Sequence, residues 1–185
     1  VSGIVLVRHA MPNVERGVAS RLWTLSEASR EDCVLLAHAL PQPVDAIWSS
    51  DEPKARETAE VIGLRLGLPV RIDSAFAEVD RPEIWDRDYR EVAGAYLRGI
   101  VEPGWEAREA VSRRFSEGIA RARHDGAGDL VIVNHGLAMS LWLSTQTQLD
   151  IEPWWRALTL PDAWRYETAT GTLERVWMGR GAGEG

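Results

Sequence analysis

Four side chains in this sequence are of types that do chemistry together: Arg8 and His9, adjacent in the chain, then Arg56 and His135. Guanidinium forks match phosphate oxygens in geometry and charge, so two arginines beside two histidines suit a phosphoryl group. The same cations disfavour the imidazolium form of a neighbouring histidine, which keeps one ring neutral and nucleophilic near pH 7. Each residue alone has a plainer reading. A histidine at a strand end is more often structural than catalytic. Arg56 has Glu52 and Glu60 one turn away on either side, the pattern of a solvated ion-pair face.

These residues can act together only if the fold brings them to one place, and the pattern of elements provides the means. Ile4 to Val7 is a short continuous apolar run, as in a strand buried on both faces, and it leads into Arg8 and His9. Val44 to Ser49 reads as a second strand. Asp51-Glu52-Pro53 then opens a helix whose second turn carries Arg56 and whose inner stripe is Ala55, Ala59, Ile62 and Leu66, ended by Gly67. Leu130 to Val133 is another buried strand, running into Asn134-His135-Gly136 and a helix from Leu137. In open parallel sheets ligands bind beyond the carboxyl ends of the strands, where these three runs deliver their cations.

The remaining elements complete an alternating order. Ser26 caps a helix to about Leu40, with Cys33, Leu36, Ala37 and Leu40 on one face. Val70 to Ile72 is a short strand, and Glu106 to Arg123 a helix with Val111, Phe115, Ile119 and Ala122 in register. Gly126 and Gly128 make a turn. Ala157 to Met178 reads as edge strands with a turn at Ala169-Thr170-Gly171. The stretch from Asp73 to Gly104 is the least regular, with a short helix near Tyr89 to Leu97, and long irregular segments of this kind are often lids or binding loops. The expected fold is α/β: a three-layer α/β/α arrangement with a mainly parallel central sheet, as one domain over residues 1–185.

Composition narrows the class. With 185 residues, 45% hydrophobic and 26% charged, the chain can bury a core and is neither disordered nor collagen-like. Its formal net charge of -7 argues against nucleic acid or an anionic membrane as the main partner, without excluding a small anion bound by a local cationic cluster. No apolar run approaches the roughly 20 residues of a membrane span, and the N-terminal run lacks the length and basic flank of a signal peptide. The single cysteine, Cys33, fits a small core residue and a reducing, cytoplasmic location. The basic residues are nearly all arginine, with Lys54 the only lysine, which reads as a compositional habit rather than as chemistry. Trp48, Trp142 and Trp177 fit the core; Trp85 and Trp105 fit either a pocket wall or packing. Trp154-Trp155 suits an interface or a loop anchor. Arg87, Arg90 and Arg98 fit a solvated helix face, with a second anion of a substrate as the rarer use; His38 and His124 fit the surface.

The ordered set of these motifs resembles the histidine phosphatase (phosphoglycerate mutase-like) superfamily. Val7-Arg8-His9-Ala10 resembles its Arg-His-Gly signature, and Leu25-Ser26 with the following helix its Leu-Thr-x-x-Gly segment. Ser49 to Ala59 resembles its Ser-x-Leu-x-Arg-Ala-x-x-Thr-Ala helix, and Val131 to Gly136 its final strand and His-Gly. The resemblance implies that His9 is the nucleophile and becomes a phosphohistidine. It implies that Arg8, Arg56 and His135 hold the phosphoryl oxygens, and that Glu78 protonates the leaving oxygen and then activates water. It further implies a small phosphorylated substrate and neither cofactor nor metal. The chain departs from the pattern at Ala10, Pro12, Glu15, Ser29 and Val79-Asp80-Arg81-Pro82, so Asp80 and Glu83 are alternatives for the acid. Chain length favours a phosphatase over a mutase.

Three other readings stand beside this one. The first is a protein phosphohistidine phosphatase, which needs a shallower site than the Asp73–Gly104 segment suggests. The second is a non-catalytic phosphate-binding module on the same fold. The third is a metal site of two histidines and a carboxylate, disfavoured by the nearby arginines.

Overall fold

The computed structural model of the protein describes residues 3–122 and 128–179. Six strands form one sheet: β1 (Ile4–Arg8), β2 (Val44–Ser49), β3 (Val70–Ile72), β4 (Asp129–Asn134), β5 (Asp162–Glu167) and β6 (Thr172–Met178), in the order β3-β2-β4-β1-β5-β6. The four strands β3, β2, β4 and β1 run parallel, and β5 and β6 add an antiparallel edge.

The continuous apolar runs of β1 and β4 are explained by burial on both faces. Leu6 and Ile132 face one core, with Phe76, Phe115, Met139 and Trp142. Val5, Val7, Val131 and Val133 face the other, with Leu36, Ala59 and Ile62. The second core is covered by α1 (Arg30–Ala39) and α2 (Pro53–Leu66). The first is covered by α3 (Tyr89–Leu97), α4 (Arg108–Ala122), α5 (Gly136–Gln146) and α6 (Ile151–Arg156). This is the expected α/β/α layering.

Local signals set the ends of the helix that matters most for the site. Proline opens α2, and Gly67 closes it in the left-handed region at φ 68°. Two expectations change in detail. The helix expected from Ser26 begins as a 3-10 turn over Glu27–Ser29 before α1. The short helix α6 buries both Trp154 and Trp155, so this pair is core rather than interface. Arg123, His124 and Gly126 lie outside the described residues. Among the described residues no helix is long and apolar enough to cross a membrane.

Candidate active site

The sheet register brings the three predicted strand ends together. Arg8 pairs with Asn134 across β1 and β4, and Ser49 with Val133 across β2 and β4. The chain continues the ladder one step further on each side: the His9 amide donates to the Asn134 carbonyl at 3.0 Å, and the Ser50 amide to the Val133 carbonyl at 2.9 Å. His9, Ser50 and His135 therefore leave the same edge of the sheet as neighbours. They open onto a cavity of about 870 Å³ lined by Arg8, His9, Glu52, Lys54, Glu78 and His135, among others.

His9 is buried, and its Nδ1 lies 2.8 Å from the carbonyl of Ala10. A carbonyl only accepts, so Nδ1 carries the proton and Nε2 keeps its lone pair. The Ala10 peptide is itself fixed, because its amide donates to Thr58 Oγ1 at 3.1 Å, and Thr58 in turn donates to the Lys54 carbonyl. Burial, then the neighbouring His135 and Lys54, hold the His9 pKa well below the ordinary histidine value. The ring is thus a neutral base with an oriented lone pair. His135 stands edge-on to it, ring centroids 5.1 Å apart, with Nε2 2.8 Å from Ser50 Oγ. Burial and the surrounding cations lower its pKa as well.

The cations reach the cavity from two directions. Arg8 donates to the carbonyls of Leu158 and Thr159 at 3.2 and 3.4 Å. Its Nε, like Nδ1 of His135, is buried without a hydrogen-bond partner in the protein. A buried donor such as the Arg8 Nε is costly unless something accepts from it, which suits an anion-binding role. The first residue of α5 is glycine at the point of closest approach: a Cβ on Gly136 would lie 3.1 Å from Trp155 Nε1 and 3.2 Å from Arg8 Nε.

Lys54 is another cation of the cavity, which Arg21 and Arg81 also line. It is only 5% exposed, and its Nζ donates to Glu52 Oε2 and to the Ser20 carbonyl, each at 2.6 Å. Arg56, expected in this role, is not among the lining residues. Its side chain is 48% exposed and lies 3.6 Å from Glu60, on the outer face of α2. This geometry matches the ion-pair reading of Arg56.

Glu78 lies at the N-terminus of α5. Its carboxylate accepts from the amides of Leu137 (3.2 Å), Ala138 (2.9 Å) and its own neighbour Val79 (3.0 Å). Burial nevertheless raises its pKa above the ordinary glutamate value, with nearby Glu52 adding to the rise. Arg114 fixes the backbone of this segment, donating to the carbonyls of Ala75, Ala77 and Glu78 at 2.8, 2.8 and 2.9 Å. The alternatives fit less well. Glu83 also lines the cavity, but its Oε1 accepts from the amide and the hydroxyl of Ser20, both at 2.8 Å. Asp80 is exposed at the cavity surface.

A family model described as the histidine phosphatase superfamily (branch 1) matches residues 4–166. The chain belongs to this superfamily. Solved structures agree on the fold at low identity. Bacillus stearothermophilus YhfR is 21% identical with a TM-score of 0.75, each chain covered to 95%. A mycobacterial glucosyl-3-phosphoglycerate phosphatase with VO3 is 22% identical with a TM-score of 0.71, covering 96% of this chain and 99% of that one. A putative alpha-ribazole-5'-P phosphatase from Escherichia coli is 19% identical with a TM-score of 0.67, each chain covered to 98%. No curated protein sequence matches.

Membership also explains the correction at Arg56. Aligned on Ala55, Thr58 and Ala59, the superfamily's Ser-x-Leu-x-Arg-Ala-x-x-Thr-Ala pattern puts its arginine at Lys54 and its leucine at Glu52. The pattern thus singles out position 54, two residues before Arg56. Glu52 carries no such signal: its Oε1 accepts from the Glu78 amide at 2.9 Å and lies 3.5 Å from His135 Nε2, a carboxylate among the cations.

Other expectations resolve in plain terms. Trp85 lines the cavity, whereas Trp105 packs on Tyr96 with ring centroids 4.7 Å apart. Arg87 and Arg98 pair with Glu102 and Glu152 at 3.5 and 2.6 Å, and Arg90 donates to the Arg156 carbonyl at 3.0 Å. Cys33 is buried and its thiol is pushed up to about 11 by burial, as befits an inert core residue. Among the described residues no group of three or more His, Cys, Asp or Glu side chains is arranged to hold a metal ion.

Proposed function

We propose that the protein is a phosphatase that hydrolyses small phosphomonoesters through a phosphohistidine on His9. The observation that carries this reading is the neutral His9 ring, proton fixed on Nδ1, set in one cavity with Arg8, Lys54, His135 and Glu78. In the first step the Nε2 lone pair forms the N–P bond while the ester P–O bond breaks. Arg8, Lys54 and His135 face the charge on the transferred group. Glu78, whose pKa burial raises above the ordinary glutamate value, is the group placed to give a proton to the departing oxygen. In the second step water attacks phosphorus, its proton returns to the Glu78 carboxylate, and the N–P bond breaks to release phosphate. The acidic composition and the single buried cysteine favour a small substrate met in the cytoplasm.

The test is turnover of a phosphomonoester with a good leaving group, such as p-nitrophenyl phosphate. His9→Ala should lose activity by at least about a thousandfold. Acid-labile, alkali-stable label from a radioactive substrate should accumulate on the wild type and persist longer on Glu78→Gln. Full activity in His9→Ala would overturn the nucleophile. The Glu52–Lys54 pair favours one second reading, a phosphate-binding module without turnover, because a carboxylate already engages a cavity cation. Tight phosphate binding with no hydrolysis of any ester would select it.

A further inference from the structure

The base of the cavity is charged, and apolar side chains gather at one part of its mouth. Among the large apolar side chains exposed in the described residues, Val14, Leu22 and Trp85 (55%, 57% and 41% exposed) all line this cavity. Trp23 and Ile84 line it beside them. Scattered apolar residues on a surface need no explanation, but a cluster around a polar cleft marks a binding surface.

The cluster is built rather than incidental. Trp23 turns its polar edge away, Nε1 donating to the carbonyls of Val18 and Glu15 at 3.1 and 3.3 Å. That leaves the ring's apolar surface for the cavity. Trp85 lies beside it with ring centroids 6.2 Å apart, and the Arg16 guanidinium covers Trp85 at 5.6 Å. The two segments that carry these rings are clamped by Glu83, which accepts from the amide and hydroxyl of Ser20. The Ser20 carbonyl in turn accepts from Lys54 Nζ, and the Trp23 carbonyl from the Lys54 amide at 3.0 Å. The aromatic mouth is thus tied directly to a cation of the phosphate end.

We propose that the substrate's alcohol portion is bulky and apolar, aromatic or long-chain alkyl, and packs against the patch of Trp23, Trp85 and Leu22 while its phosphoryl group meets His9. This rests on the phosphomonoesterase reading and specifies the class of ester. A polyol remainder set against these indole and leucine surfaces would meet no hydrogen-bond partner on them, which costs affinity relative to an apolar one.

The experiment compares phenethyl phosphate and n-hexyl phosphate with glycerol phosphate, all available as esters of primary alcohols with similar leaving ability. Wild-type kcat/KM should favour the two apolar esters by about tenfold or more. Trp85→Ala should lower kcat/KM for phenethyl phosphate about tenfold and leave glycerol phosphate within about twofold. The unchanged glycerol phosphate rate also reports that the variant is folded. Equal rates on all esters, or an equal loss on both classes in Trp85→Ala, would overturn the proposal. Calorimetric binding of phenethylphosphonate and of inorganic phosphate separates the two layers of inference. If no ester turns over but the phosphonate binds about tenfold more tightly than phosphate, the mouth assignment stands and the hydrolytic reading falls. If the two bind alike, the mouth assignment falls whatever the turnover.

Discussion

Lys54→Met is the perturbation that most directly tests the cavity, because it has two separable costs. The first is catalytic. A charge-assisted donor aimed at a developing negative charge contributes about 100- to 1000-fold in rate, or about 3–4 kcal/mol. The second is structural. Lys54 Nζ lies 2.6 Å from Glu52 Oε2, both side chains largely buried, and removing one partner strands the other's charge. Breaking such a pair costs about 3–5 kcal/mol, a large part of the roughly 5–15 kcal/mol that holds a domain together. The single variant alone would confuse the two. Lys54→Met with Glu52→Gln removes both charges, so most of the structural cost disappears while the catalytic loss remains. Arg56→Ala is the control: its pair with Glu60, at 3.6 Å and half exposed, is worth only about 0.3–0.5 kcal/mol. The assay is kcat/KM on p-nitrophenyl phosphate with thermal unfolding of each variant. The expected pattern is a loss of about 100-fold or more in the double variant relative to Glu52→Gln alone, a melting temperature near wild type there, and rates within about twofold of wild type in Arg56→Ala. A double variant as fast as Glu52→Gln alone, or an Arg56→Ala variant as slow as Lys54→Met, would refute the placement of the cation.

The buried histidines make folding pH-dependent: with His9 and His135 held below the ordinary value of 6.5, the unfolded chain takes up protons that the native one refuses. Stability should fall below about pH 6.5 by up to about 1.4 kcal/mol per pH unit for each histidine, partly opposed by Glu78, whose raised pKa makes the native state the better proton acceptor above the ordinary glutamate value. Urea unfolding at several pH values measures this, and a flat profile between about pH 6.5 and 5.5 would contradict it. In kinetics, activity should be lost on the acid side as His9 is protonated below 6.5, and on the basic side as Glu78 ionises above its ordinary 4.5. Glu78→Gln should abolish the basic limb for good leaving groups; an unchanged limb would move the acid elsewhere. Arg114→Met should lower stability by about 3–5 kcal/mol and slow turnover, because three backbone carbonyls and Glu106 lose their donor; an unaltered melting curve would count against its bracing role.

Much of the fold was legible because its signals are local and redundant. Ile4–Val7 of β1 and Leu130–Val133 of β4 are apolar at every position, and α2 carries proline at its start and is followed by glycine. The short α6 was not legible: six residues containing a proline and two tryptophans give no helical period. The site was legible where chemistry sits directly on a strand end, as with His9 and His135. It failed on α2, where two residues of register turn a side chain through about 200°. A slip from position 54 to 56 therefore moves a cation from the cavity to solvent. The aromatic mouth was only half visible, since Trp85 could be suspected but nothing in the sequence says that Trp23 faces it.

Glu52 explains how buried cations coexist with an acidic protein before any phosphate arrives. In the absence of an anion, Arg8 and Lys54 would be charges taken from water with too little compensation. The Glu52 carboxylate compensates one of them, and it also holds the Glu78 amide. The same charge must then oppose an incoming phosphate. At an effective dielectric of about 20, two unit charges about 5 Å apart repel by roughly 3 kcal/mol before screening. Screening and the slack of Lys54 reduce this to about 1–2 kcal/mol, or about 5- to 30-fold in affinity. Glu52→Gln keeps an amide oxygen for the Glu78 amide and removes the charge. It should therefore bind phosphate and vanadate about 5- to 30-fold more tightly, seen as lower inhibition constants, and release product more slowly. Weaker binding in Glu52→Gln would mean that the carboxylate serves chiefly to hold Lys54 in place, and that its charge is no barrier to the substrate.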